Sequence, residues 1–389
     1  MKILHLCLSS FYIENFGYQE NLIPKYNKLD GHDVTILAST FNYNERNGEA
    51  EWLEEKSYLN SHGIKVIRVD FKYPISKKIN DKLKIYKDTY KILELEKPDI
   101  IFVHGIQFLD LKQVVKYKKK HPECKVVADN HAAYINSAQN FFSKNILHKL
   151  IYKKAIQESV PHIDKYFMIA PGCKSLAQQL YQLPEEKMEY LFLGADTANI
   201  NLEHQKEISK TTRLKLNINE KDFVYITGGK LNRGKKTEEL INSFKKIIGK
   251  DLKLIIFGVF SDDIKRDMLE LIKTDERIKY IGWLQGEAVY DYFLASNVAI
   301  FPGTKSALWE QAICSGLPLI CKRWPGMEYV DVGGNCIFLN NDNLKEIEES
   351  MNFVRKNIDK YETMKEIAET IGYETFSYEK IARQALDIN

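Results

Sequence analysis

Gly228-Gly229-Lys230-Leu231-Asn232-Arg233-Gly234-Lys235-Lys236 stands between a β-type run, Phe223 to Thr227, and a helical run, Thr237 to Ile248. The order places Lys230 at a strand end and Lys235 at the mouth of a helix, where free backbone N–H groups add partial positive charge that favours phosphate. Taken alone, the same four basic residues also fit a solvated turn in a lysine-rich protein. What surrounds the stretch separates these readings. Downstream, β-type runs recur at Leu252 to Phe257, Lys279 to Ile281, Val298 to Phe301, Leu317 to Cys321 and Cys336 to Leu339. Upstream they stand at Ile3 to Leu8, Val34 to Ala38, Lys65 to Val69, Ile100 to Val103, Lys125 to Ala128, Tyr166 to Ile169 and Tyr190 to Leu193, with helical stretches between most of them. Strands alternating with helices predict parallel βαβ units.

The rhythm pauses in a polar stretch from Asp196 to about Lys210 and then restarts. A chain of 389 residues is too long for one ordinary core. The expectation is therefore an α/β protein of two Rossmann-like, doubly wound parallel-sheet domains, residues 1–198 and 199–376. The stretch 377–389, apolar at helical spacing, is expected to pack back on the first domain. Open parallel sheets bind ligands beyond the carboxyl ends of their strands, so two such domains are expected to face each other across a cleft.

Composition narrows the classes. With 44% hydrophobic and 28% charged residues, 20 Gly and 10 Pro, the chain is neither disordered, collagen-like nor a disulfide scaffold. Its formal charge of +3 gives no case for nucleic-acid binding. Cys7, Cys124, Cys173, Cys314, Cys321 and Cys336 lack any C-x-x-C pair, which speaks against a zinc site and for a reduced, cytoplasmic setting. The six-residue apolar run Ile3 to Leu8 is too short for a signal-peptide core or a membrane span.

Taken with Ile281-Gly282-Trp283-Leu284, Phe301-Pro302-Gly303 and the segment Ser306 to Pro318 around Glu310, the opening stretch resembles the nucleotide-sugar half of retaining glycosyltransferases of the GT-B fold, family 4 (glycosyl transferases group 1). Gly31-His32-Asp33-Val34-Thr35 and Tyr190 to Asp196 resemble, more weakly, the acceptor domain of that family. The resemblance implies transfer of a sugar from a UDP- or GDP-linked donor, held by the second domain, to a saccharide or lipid-linked acceptor held by the first. It implies no cofactor and no metal, with lysines neutralising the leaving diphosphate. It also implies front-face attack, the leaving phosphate itself taking the acceptor proton, and a place in bacterial surface glycan synthesis.

Residue by residue, the resemblance gives Lys230 and Lys235 the diphosphate, with lysine at 230 where arginine is commoner. A lysine there acts as a point charge without a guanidinium's forked geometry. Glu310 takes the ribose hydroxyls. His131, beyond the run Val126-Val127-Ala128-Asp129-Asn130, lies near the reacting sugar, with Asp129 and Asn130 as partners behind it. Gly17 admits the diphosphate, although a plain turn explains a lone glycine as well. Trp283 and Leu284 flank the base, against the ordinary reading of a core tryptophan. Position 302, where family members commonly carry a second glutamate, is Pro302. Thr304, Lys305 and Ser306 remain to meet the sugar or phosphate. That missing glutamate also admits a non-catalytic partner or saccharide-binding subunit. A nicotinamide dehydrogenase ranks below both, since no dinucleotide fingerprint is present.

Within residues 112–154 ten lysines face two acids, a local +8, with Phe141, Phe142 and Tyr152 among them. Such a surface suits an anionic membrane, so peripheral contact with the inner face of the cell membrane is expected.

Overall fold

The computed structural model describes residues 1–43, 50–73, 76–134, 136–200, 204–284 and 286–387. The chain divides into two compact units: Met1–Phe192 with Ile381–Asn389, and Leu193–Lys380. In the first, β1 (Lys2–Cys7), β2 (Asp33–Ser39), β5 (Ser57–Leu59), β6 (Lys65–Val69), β7 (Ile100–Val103), β8 (Lys125–Asn130), β9 (Lys165–Met168) and β10 (Met188–Tyr190) form one sheet in the order β10-β9-β8-β7-β1-β2-β6-β5. A separate antiparallel pair joins β3 (Phe41–Tyr43) to β4 (Ala50–Trp52). All pairings in the large sheet are parallel except β5 on β6.

The central strands read as near-continuous apolar runs because helices cover both faces. β7, for example, is buried along its whole length. Leu4, Leu6, Ile101, Val103, Val126 and Ala128 on one face join the larger core; Val34, Ile36, Ala38 and Val66 belong to a second cluster. The chain order reverses between β1 and β7, which makes the carboxyl ends of those two strands the natural ligand crevice of this unit.

The second unit holds β11 (Phe223–Leu231), β12 (Leu252–Phe260), β13 (Ile278–Gly282), β14 (Val298–Phe301), β15 (Leu319–Lys322) and β16 (Cys336–Leu339) in an all-parallel sheet ordered β13-β12-β11-β14-β15-β16. Its reversal lies between β11 and β14. Tyr225, Leu254, Ile256, Val298, Ile300 and Ile320 lie in one core with Leu240, Phe244 and Met351 from the covering helices.

Three sequence expectations need correction. β11 does not stop at Thr227 but runs through the glycines to Leu231. It can do so because a strand of glycines approaches its neighbour closely: a Cβ on Gly258 of β12 would sit 1.9 Å from the Gly229 carbonyl oxygen. The run from Tyr190 to Leu193 is strand only at its first residue, because β10 occupies Met188–Tyr190. The strand expected from Leu317 begins at Leu319, after Gly316 in the left-handed region and Pro318, which has no N–H to donate. Within and beyond the polar stretch after Asp196, a helix spans Gln205–Lys215. Among the described residues no helix is long and apolar enough to cross a membrane. All six cysteines are free thiols.

Candidate functional site

In the second unit the loops following β11 and β14 are stitched together. The Thr304 N–H donates to the Gly234 carbonyl at 2.8 Å, and the Lys235 ammonium donates to the carbonyls of Thr304 and Lys305 at 2.9 and 2.8 Å. The approach is so close that a Cβ on Gly303 would lie 2.2 Å from the Gly234 carbonyl oxygen. Trp324 adds an indole N–H bond to the Gly303 carbonyl at 3.1 Å. Lys235 is half-buried, and burial pulls its ammonium below the ordinary lysine value. Two of its three N–H donors are spent on carbonyls, and no carboxylate pairs with it among the described residues.

Lys230 is exposed at the end of β11 and, among the described residues, has no hydrogen-bond or ion-pair partner. Its neighbours behave differently: Arg233 pairs with Asp263 at 3.1 Å and Lys236 with Glu239 at 2.9 Å. So of the four basic residues in the opening stretch, the carboxylates take two and leave Lys230 and Lys235. Lys236, at φ 59°, precedes the helix Thr237–Lys246, whose first turn has no side-chain cap.

Lys230 also lines a cavity of about 460 Å³ with Leu231, Asn232, Val259, Phe260, Ser261 and Trp283, at the carboxyl ends of β11, β12 and β13. Trp283 is 55% exposed, which overturns the core-tryptophan alternative; Leu284 beside it is partly buried. An apolar floor with one aromatic wall and one ammonium suits a planar heterocycle joined to an anion.

Glu310 lies in the first turn of the helix Leu308–Cys314, which starts where the Trp309 N–H bonds the Ser306 carbonyl at 3.2 Å. It is buried. One carboxyl oxygen accepts from the Tyr329 hydroxyl at 2.5 Å, and the other, Oε2, is buried with no partner among the described residues. Burial raises the Glu310 carboxyl above its ordinary value, the Tyr329 bond opposing. Tyr329 was not singled out by the sequence reading: it lies 19 residues downstream in no motif. Thr304 is partly buried, Lys305 exposed and Ser306 partly buried on the connecting loop.

In the first unit, His131 follows β8 and Asp129 is fully buried within it. The Asp129 carboxylate collects the Gly105 N–H at 2.7 Å and His131 Nε2 at 3.1 Å on one oxygen. The other oxygen takes His104 Nδ1 at 3.0 Å and the Gln19 amide at 3.4 Å. Gly105 must be glycine: φ is +79°, and a Cβ would meet the Ser9 and Ser10 hydroxyls at 2.9 Å. Asn130 turns elsewhere, donating to the Cys173 carbonyl at 3.1 Å and accepting from Gln107 at 2.7 Å. Gly17 is exposed outside the left-handed region, and a Cβ there would meet nothing within 4 Å. No steric demand for glycine exists at that position.

A six-stranded parallel sheet in one unit and an eight-stranded sheet, parallel but for β5, in the other are the architecture of the GT-B fold. The glycosyltransferase of Rickettsia africae ESF-5 superposes with a TM-score of 0.69 at 14% identity, covering 100% of this chain and 97% of that one. HepE from Anabaena in complex with UDP-glucose gives 0.61 at 14% identity over 99% and 98%. The UDP-GlcNAc 2-epimerase of Neisseria meningitidis bound to UDP-GlcNAc gives 0.59 at 15% over 100% of both chains. At such identities these likenesses show the fold alone. Residues 209–370 match the family model described as glycosyl transferases group 1, so the second unit carries a glycosyltransferase domain of that group. Comparison with curated protein sequences gives no match.

Proposed function

We propose that this protein is a retaining, metal-independent glycosyltransferase of family 4. Its second unit holds a UDP- or GDP-linked sugar, and its first unit receives a saccharide or lipid-linked acceptor of bacterial surface glycan synthesis. The observation that carries the reading is the pair Lys230 and Lys235. Both ammonium groups lack a carboxylate partner among the described residues, Lys230 at the end of the strand where the sheet order reverses and Lys235 in the turn that follows it. A diphosphate leaving group supplies the missing charge, and its developing negative charge is what transfer must stabilise. Glu310 Oε2, buried with no partner among the described residues, would accept from one ribose hydroxyl, and the cavity beside Trp283 would receive the base. In this reading Thr304, Lys305 and Ser306 supply donors to phosphate or sugar oxygens.

The acceptor side has a matching surface. Phe141 and Phe142, 79% and 55% exposed, precede the helical segment Ser143–Tyr152 with its exposed Leu150. Lys82 lies over the Phe142 ring at 5.5 Å, and Lys144 over the partly exposed Tyr134 at 5.7 Å. Aromatic side chains ringed by lysines favour a peripheral hold on anionic lipid, which suits a lipid-linked acceptor.

Calorimetric titration with UDP and GDP tests the donor reading. Binding of one of them, weakened at least about tenfold (1.4 kcal/mol) by Lys235→Ala, is the expected result. No affinity for either nucleotide overturns it. Nucleotide binding without transfer to any acceptor favours the binding subunit that Pro302 admits.

A further inference from the structure

At the edge of the second sheet opposite Lys230 and Lys235 lies a separate cavity of about 490 Å³. It stands at the amino ends of β11 and β14, where Arg213 from the helix Gln205–Lys215, Asn297 just before β14 and Tyr361 from the helix Ile358–Ile367 meet. β11 is nine residues long, so at about 3.3 Å per residue its two ends lie roughly 25 Å apart. The cavity is therefore no part of the site around Lys230 and Lys235, and its volume is that of a small-molecule pocket.

Its walls are cationic. Lys206, Lys210, Arg213 and Lys365 line it against one carboxylate, Glu220. Arg213 is only 7% exposed, and its guanidinium donates to the carbonyls of Ala295 at 2.9 Å, Asn219 at 3.2 Å, Glu220 at 3.0 Å and Asp222 at 2.9 Å, and to the Asn297 side-chain oxygen at 3.1 Å. Every one of those oxygens is neutral. The Asp222 carboxylate is engaged instead by Lys253 at 3.1 Å and by the Asn219 N–H at 3.0 Å. Burial pulls the Arg213 guanidinium below its ordinary value, Asp222 opposing. Among the described residues, then, Arg213 is a buried cation without an ion-pair partner, a costly arrangement that a bound anion relieves.

The groups around it have hydrogens to give. The Tyr361 hydroxyl, on a residue 8% exposed, accepts from the Asn297 amide at 3.1 Å, and its own proton has no acceptor among the described residues. The Ser209 hydroxyl and the Lys206 ammonium likewise have no partner among the described residues. Lys365 reaches Glu369 at 3.4 Å, and Lys210 reaches Glu220 only at 3.8 Å. Asn297 fixes the two buried donors: its side-chain oxygen accepts from Arg213 and from the Val224 N–H at 2.8 Å while its amide holds Tyr361, so both are set before a ligand arrives. Guanidinium, ammonium and hydroxyl donors converging on one cavity suit an oxyanion of two charges, and the planar guanidinium fork matches phosphate. We propose that this cavity binds a phosphate dianion, free or carried as a monoester, with Arg213 and Tyr361 on the phosphate oxygens and Lys206 and Lys365 neutralising the charge.

Titration calorimetry on the full chain in phosphate-free buffer tests the site, with inorganic phosphate in one arm and a hexose 6-phosphate in the other. Binding is expected to weaken at least about tenfold in Lys206→Ala with Lys365→Ala and about threefold in Tyr361→Phe, and to stay unchanged in Lys235→Ala. These substitutions leave Arg213 on its carbonyls, and circular dichroism verifies that the fold persists. Affinity is also expected to rise as pH climbs through about 6, where the ligand gains its second charge. Equal affinity in the two arms supports a site for the phosphate group alone, and tighter binding of the sugar phosphate supports one that holds the monoester whole. No binding in either arm, or binding that falls in Lys235→Ala and survives the loss of Lys206 and Lys365, overturns the proposal.

Discussion

Glu310 brings two opposed demands onto one side chain. A buried carboxyl with one oxygen on Tyr329 and the other unpartnered suits a ligand that donates a hydroxyl, and it costs the empty protein stability. Because its folded value is raised, the native state holds the proton more tightly than the unfolded chain does. Stability is therefore lost as pH rises from the ordinary carboxyl value of 4.5 through the folded one. Glu310→Gln removes that cost: at pH 7 the variant is expected to melt a few degrees higher, at about 2–4 °C per kcal/mol for a unit of this size, yet to bind nucleotide about tenfold more weakly. Scanning calorimetry beside titration calorimetry checks both signs, and a lower melting temperature contradicts the account. Residues of this kind were legible in the sequence because Gly228 to Lys236 and Ser306 to Pro318 are unbroken stretches. The buried hydrogen-bonded run His5–His104–Asp129 was not, since His5 and His104 stand 99 positions apart and only the parallel register of β1 with β7 brings them together.

At the scale of elements, the decisive join is between the loops after β11 and β14. Gly303 permits it through lack of a side chain, as the 2.2 Å approach to Gly234 shows. Gly303→Ala is expected to force these loops apart, release Lys235 from its two carbonyls and lower nucleotide affinity more than tenfold. Titration calorimetry measures the affinity, and circular dichroism verifies that the sheet persists. Unchanged affinity would mean that Lys235 does not depend on this junction. The segment from Phe141 to Tyr152 makes a separate prediction: Phe141→Ser with Phe142→Ser is expected to abolish co-flotation with phosphatidylserine vesicles at low salt and to leave soluble-nucleotide binding intact. Flotation by the doubly substituted protein, or none by the unaltered one, sinks the membrane reading. Element type was readable wherever an apolar run was long. Strands of three residues such as β3, β4 and β5 were not, because pairing rather than periodicity makes them.

For the molecule as a whole, each unit has its own core, and the chain enters the second at Leu193 and returns to the first at Ile381. The returning segment buries Ile381, Ala382 and Ala385. It also pairs Arg383 with Asp30 at 2.9 Å and sets Gln384 on Glu189 at 2.9 Å. Removing residues 381–389 is expected to cost the first unit about 3–5 kcal/mol, on the scale of a large core truncation, and to lower its unfolding temperature by on the order of 10 °C. Hydrogen exchange resolved along the sequence checks this: protection is expected to fall in β1, β2 and the helix Gln19–Leu29. Unaltered exchange there would show that the returning segment is dispensable.

That return has a consequence for how the protein is made. Synthesis runs from residue 1 onward, and a domain ordinarily folds as it leaves the ribosome. Here the unit translated first lacks its closing segment until all of Leu193–Lys380 has been synthesised, roughly 10 to 40 s later at bacterial to eukaryotic elongation rates. During that interval the faces meant for Ile381, Ala382 and Ala385 stay open, so the protein's earlier half is the later one to be finished.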